Sequence, residues 1–195
     1  MISSRAIQPS QGFCIGLDAS RSIATHPTGT ELYSRHLIDA LIDRAPANYT
    51  FRLYFNQSTT AFSNQQSAIR NLPFPRLWTH IRLSFEMLTR PPDLLFVPAH
   101  VLPMIHPRRS VVTVHDLGYL YFPEAHPPQQ RWYLDQSTRW HTRVAVHLIA
   151  DSAATKRDLI DRYHTRPDRI SVAYPGLDPA LWRMDDVAEI DRIKS

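Results

Sequence analysis

Residues 13–43, FCIGLDASRSIATHPTGTELYSRHLIDALID, change period part-way along. Phe13-Cys14-Ile15-Gly16-Leu17 is a short apolar run closed by Asp18, whereas Tyr33, Leu37, Ile38, Leu41 and Ile42 return at helical spacing between residues 30 and 43. A strand followed by a helix opens an α/β unit. Thr28-Gly29-Thr30-Glu31 fits the S/T-x-x-E capping box, in which a hydroxyl and a carboxylate satisfy amides that the first helical turn leaves free. Downstream, residues 50–55, 94–97, 111–114, 147–150 and 170–173 are further apolar runs, short enough for strands covered on both faces. Between them, residues 129–146 and 153–163 read as crossover helices, with Trp132, Tyr133, Gln136, Trp140 and Val144 near the packing face of the first. The expectation is α/β, a mostly parallel sheet with helices on both faces.

Composition agrees with one folded domain. The chain has 195 residues, 43% hydrophobic and 21% charged, which excludes a disordered tail or a fibrous repeat. Its net charge of +4 comes from scattered residues rather than a basic block, so nucleic acid is not the expected partner. Cys14 is the only cysteine; it allows no internal disulfide and, within an apolar run, reads as a buried thiol of a cytoplasmic protein. The longest apolar stretch, residues 94–105, is broken by Pro98 and Pro103, so no membrane span is expected. Residues 1–12 read as an N-terminal extension and 13–182 as the domain. Residues 183–195 read as the start of a connection that looks cut short.

In an open parallel sheet, ligands bind beyond the carboxyl ends of the strands. Asp18, His100, His115-Asp116, Asp151-Ser152 and Tyr174-Pro175-Gly176 all follow predicted strands and could line one cleft. Gly29, at a helix start, suits either a plain cap or an anion held by bare amides. HPTGTE has neither a G-x-G-x-x-G nor a Walker lysine, and Glu31 opposes a purely anionic ligand. His115 and Asp116 could orient a sugar hydroxyl or relay a proton, or else Asp116 caps a turn and His115 packs. Ser152 lacks the G-x-S-x-G elbow and reads as an N-cap rather than a nucleophile. No histidine pair has H-x-x-H or H-E-x-x-H spacing, so zinc is not expected.

Three stretches form a recognisable pattern: PDLLFVPAHVLP (92–103), SVVTVHDLGYLYFPEAHPPQQRWYLDQSTRW (110–140) and HLIADSAATKRDLIDRYHTRPDRISVAYPGLD (147–178). The chain resembles the N-terminal domain of retaining GT-B glycosyltransferases of family four, a group that includes many bacterial mannosyltransferases. The likeness runs from about residue 15 to 178. It implies a Rossmann-like lobe that mainly holds the acceptor and closes over a nucleotide sugar, GDP- or UDP-linked, gripped chiefly by a second, C-terminal lobe absent here and supplied in cis or in trans. By resemblance, His115 and Asp116 lie at the catalytic centre. Gly29 and Thr30 approach the donor phosphates, and His100, Ser152 and Lys156 lie in substrate-binding positions. It also implies transfer to a glycan or lipid-linked acceptor, as in polysaccharide biosynthesis, without cofactor or metal, and allows peripheral contact with the inner face of an anionic membrane. The family's helix-entry loop usually holds more glycine than the single Gly29. The alternative reading is a noncatalytic glycan- or protein-binding module derived from such an enzyme.

Overall fold

A computed structural model describes residues 12–60, 67–99, 101–176 and Arg192. Seven strands form one sheet: β1 (Phe13–Asp18), β2 (Tyr49–Phe55), β3 (Ser67–Asn71), β4 (Leu94–Val97), β5 (Ser110–Val114), β6 (His147–Ala150) and β7 (Ile170–Val172). Every pairing is parallel and the order is β3-β2-β1-β4-β5-β6-β7. The helices are α1 (Gly29–Arg44), α2 (Ser84–Thr89), α3 (Pro128–Val144) and α4 (Ala153–Tyr163), with a π-helical turn, Thr79–Leu83, running directly into α2. This is a Rossmann-like α/β arrangement, as the sequence led us to expect.

Alternation along each strand divides two cores. Leu17, Phe51, Leu53, Phe55 and Phe96 pack with Ile38 and Ile42 of α1. Their neighbours Tyr54, Leu95, Val97, Val112, Val114 and Leu148 face the opposite way, with Leu83, Met87 and Leu159 from the helical segments on that side. Right-handed crossovers require this division. The β1-to-β2 step runs one way along the sheet, whereas the steps from β3 to β4 and onward run the other way. α1 therefore lies on one face and α2, α3 and α4 on the other.

Two elements stand outside the predicted set, β3, which is short and half-covered, and the Thr79–Thr89 helical segment, hemmed by Pro73, Pro75, Pro91 and Pro92. Two expectations change. α3 buries Ser137, Thr138, His141 and Thr142, while Trp132 stands 66% exposed; only Trp140 and Val144 of the expected face reach the core. His141 accepts a hydrogen bond from the Leu102 amide at 3.2 Å, so a buried loop amide selects that polar face. Cys14 is only partly buried. Among the described residues no helix is long and apolar enough to cross a membrane.

Gly16 is required by packing rather than by its φ. A Cβ there would meet Pro92 Cγ at 2.7 Å and Tyr54 Cε2 at 2.9 Å. Gly16→Ala is expected to cost about 1–3 kcal/mol from overpacking, read as a lower urea midpoint at unchanged slope. An unchanged midpoint would show that Pro92 yields freely.

Candidate functional site at the carboxyl edge of the sheet

The strand order reverses between β1 and β4, and the polar residues gather above that point. His115 leaves β5 with its Nε2 2.9 Å from the Pro98 carbonyl oxygen, just beyond β4. A carbonyl only accepts, so this contact places the proton on Nε2. Nδ1 then faces Asp151 Oδ2, just beyond β6, at 3.6 Å. The Tyr33 ring of α1 meets the imidazole edge-on, with centroids 4.9 Å apart. Four elements thus surround one imidazole, and its side chain keeps 20% exposure.

The residues after it build the frame. Asp116 is exposed, and its Oδ1 accepts from the Gly118 amide at 2.8 Å, starting the 3-10 turn Gly118–Leu120. Ser152 caps α4: its Oγ accepts from the Thr155 amide at 3.0 Å. Thr155 Oγ1 donates to the His115 carbonyl at 2.9 Å, tying the cap back to the imidazole's own backbone. Lys156 Nζ donates to the Ile170 carbonyl at 2.7 Å, along edge strand β7. Behind the Asp116 turn, Tyr163 donates to Asp135 at 2.9 Å and lies 2.6 Å from the Tyr119 hydroxyl. Burial, then the Tyr119 contact, pushes the Tyr163 phenol well above its ordinary range. This network pins the turn to α3 and α4. His100 lies outside the described residues.

α1 starts beside the imidazole. Glu31 Oε2 accepts from the Thr28 amide at 2.8 Å, closing the capping box, and Thr30 lies in the first turn. A Cβ on Gly29 would meet nothing within 4 Å, so this helix start is open on its outer side. Asp18, 2% exposed at the end of β1, takes the Ser20 amide at 3.0 Å and the Ser20 hydroxyl at 2.6 Å on Oδ1. Its Oδ2 is buried with no hydrogen-bond partner among the described residues.

Next to α1 opens a cleft of about 530 Å³ that the sequence did not reveal. Its walls include Arg21, Glu31, Asn56, Gln57, His80 and Tyr133, drawn from five separate segments. Arg21 reaches Glu31 at 3.4 Å, and His80 Nε2 lies 3.4 Å from the Tyr133 hydroxyl. Asn56-Gln57, directly after β2, was the one local signal available, since it occupies the same strand-end position as Asp18 and Asp151. Among the described residues no group of three or more His, Cys, Asp or Glu side chains is placed to hold a metal ion.

The model of the family described as Glycosyltransferase Family 4 matches residues 28–181. The chain belongs to glycosyltransferase family 4. The family match covers Gly29, Thr30, His115, Asp116, Ser152 and Lys156 and begins at the N-cap of α1, so Asp18, Ser20 and Arg21 precede it. The sheet is consistent with one lobe of the GT-B architecture of this glycosyltransferase family. No curated protein matches the chain.

The Thr28 amide holds the Glu31 carboxyl below its ordinary value of 4.5, with a smaller contribution from Arg21. A lowered carboxyl stabilises the fold above its unfolded value and loses that contribution as pH falls through the folded value. Glu31→Ala is expected to cost about 0.5–1 kcal/mol at neutral pH from the lost cap, the ionic part being screened by solvent. In paired denaturation curves the gap between wild type and variant should persist to pH 4.5 and close below it. A gap independent of pH down to strong acid would show that the carboxylate is not the cap.

Proposed function

We propose that this domain takes part in moving a hexosyl group from a nucleotide sugar to a glycan or lipid-linked acceptor. The observation that carries this reading is the meeting, at one sheet edge, of an oriented imidazole, an open helix start and a polar cleft in a family 4 chain. The start of α1 suits the diphosphate of a GDP- or UDP-linked hexose, because its free amides and macrodipole favour negative charge and Gly29 presents no side chain. His115 suits the transferred hexose, and the neighbouring cleft suits the acceptor, whose hydroxyls Asn56, Gln57 and Tyr133 could bind.

In the transfer, the bond from the anomeric carbon to the diphosphate oxygen breaks while a bond to the acceptor oxygen forms. The acceptor's proton leaves with the departing phosphate. The domain's contribution is positioning and charge stabilisation. Asp116, Ser152 and Lys156 act through the loops they hold, and a second lobe, in cis or in trans, completes the grip on the donor. No metal takes part in this scheme.

The test uses the native polypeptide purified from its source cells, assayed with labelled UDP- and GDP-hexoses. His115→Ala is expected to lower kcat/KM roughly 100-fold. Gly29→Ala should raise the KM for the nucleotide sugar while leaving the urea midpoint unchanged, since its Cβ has open space. Unchanged kcat/KM in His115→Ala would remove the imidazole from the site. No transfer from any donor would favour a noncatalytic binding module.

A further inference from the structure

The cleft beside α1 is unevenly furnished with hydrogen-bonding groups. In its wall Asn56, Gln57 and Tyr133 can donate or accept, Arg21 can only donate, and Glu31 is the one carboxylate. Both Glu31 oxygens are already engaged: Oε2 accepts from the Thr28 amide at 2.8 Å, and Oε1 faces Arg21 at 3.4 Å. Asp18 is buried outside the wall, with its Oδ1 taken by Ser20. The wall therefore asks an occupant for acceptor oxygens.

Arg21 has the most left to give. A guanidinium carries several N–H donors in a fixed fork, yet among the described residues the one hydrogen bond of Arg21 is the long contact with Glu31. Arg166 shows a closed pair in the same chain, gripping Asp168 with two donors at 3.1 and 2.6 Å. The Arg21 side chain also stays 49% exposed. Its charge is felt across the cleft on α3, where burial pushes the Tyr133 phenol up and Arg21 works against that rise.

The form of these donors selects the anion. A guanidinium fork matches the two coplanar oxygens of a carboxylate. One arginine beside one glutamate complements a single negative charge better than the double charge of a phosphate monoester. The amides of Asn56 and Gln57 and the Tyr133 phenol suit hydroxyls, which both donate and accept. The cleft volume of about 530 Å³ lies inside the range of about 300–1,000 Å³ usual for small-molecule sites.

We infer that the cleft binds an acidic sugar, a hexuronate, with Arg21 holding its carboxylate while Asn56, Gln57 and Tyr133 take its hydroxyls. Arg21 thereby selects a charged acceptor over a neutral one. The acceptor role rests on the glycosyl-transfer reading, whereas the binding itself does not.

The test titrates the full chain with methyl glucuronide, methyl glucoside and a glucose phosphate monoester, with no donor present, and follows amide shifts by NMR. The glucuronide is expected to bind at least about tenfold more tightly than the glucoside. Arg21→Gln should bring the glucuronide down to the level of the glucoside, and Arg21→Lys, a point charge without the fork, should restore part of the difference. The thermal midpoint of both variants should hold, because an exposed ion pair adds little stability. Equal binding of glucuronide and glucoside by the wild type overturns the inference, as does an undiminished preference in Arg21→Gln. Tighter binding of the phosphate monoester than of the glucuronide overturns the choice of a carboxylate. In transfer assays with the native polypeptide, use of neutral acceptors alone would overturn the acceptor role of the acidic sugar and leave glycosyl transfer standing.

Discussion

The right-handedness of parallel crossovers governs most of this molecule. A strand, helix and parallel strand close in one hand only, so the direction in which the chain steps along the sheet decides which face receives each helix. Here the chain steps from β1 to β2 to β3, then jumps back past β1 to β4 and continues outward. That reversal puts α1 opposite the other helices and opens the crevice at the β1–β4 boundary. The ends of β4, β5 and β6 then deliver the Pro98 carbonyl, His115 and Asp151 to one place. No local feature of any of these residues would bring them together.

Within that crevice, polar residues divide by what their atoms already hold. Asp116 and Ser152 spend their oxygens on a turn and a helix cap, and Lys156 spends its amine on an edge carbonyl. His115 is held by a backbone carbonyl on one ring nitrogen while its side chain keeps partial exposure. Such an imidazole is oriented without being enclosed. The two glycines separate in the same manner. Gly16 is a packing requirement between Pro92 and Tyr54, whereas Gly29 is free of steric demand from its own chain. The first glycine serves the fold, and the second leaves the start of α1 accessible.

The outward face of the Thr79–Thr89 segment follows from the same reversal. The long return from β3 to β4 crosses the face opposite α1, and Leu83 and Met87 fasten it there. The segment lies between proline pairs, so it is short, and three of its five apolar residues remain outside. Glu86, the one carboxylate in residues 72–92, is buried between Arg70 and Arg82.

Much of the fold was legible in the sequence because it rests on local periodicity. Residues 13–17 and 30–43 state strand and helix by their spacing, and the T-x-x-E box marks the start of α1. Asp116 and Ser152 announced turn and cap by chemistry that needs only three or four neighbouring residues. The HDL and DSAATKRDL motifs carried the family likeness in the same local way. The rest depended on contacts between distant segments. β3 is a strand because β2 offers it a ladder, and α3 buries Ser137 and His141 rather than Trp132 because a loop amide from Leu102 has to be satisfied. The proton on His115 Nε2, the polar cleft and the exposed apolar side chains of the Thr79–Thr89 segment exist only once the chain is folded. Hydrogen-bond partners and exposure are properties of neighbours in space, which periodicity along the chain does not encode.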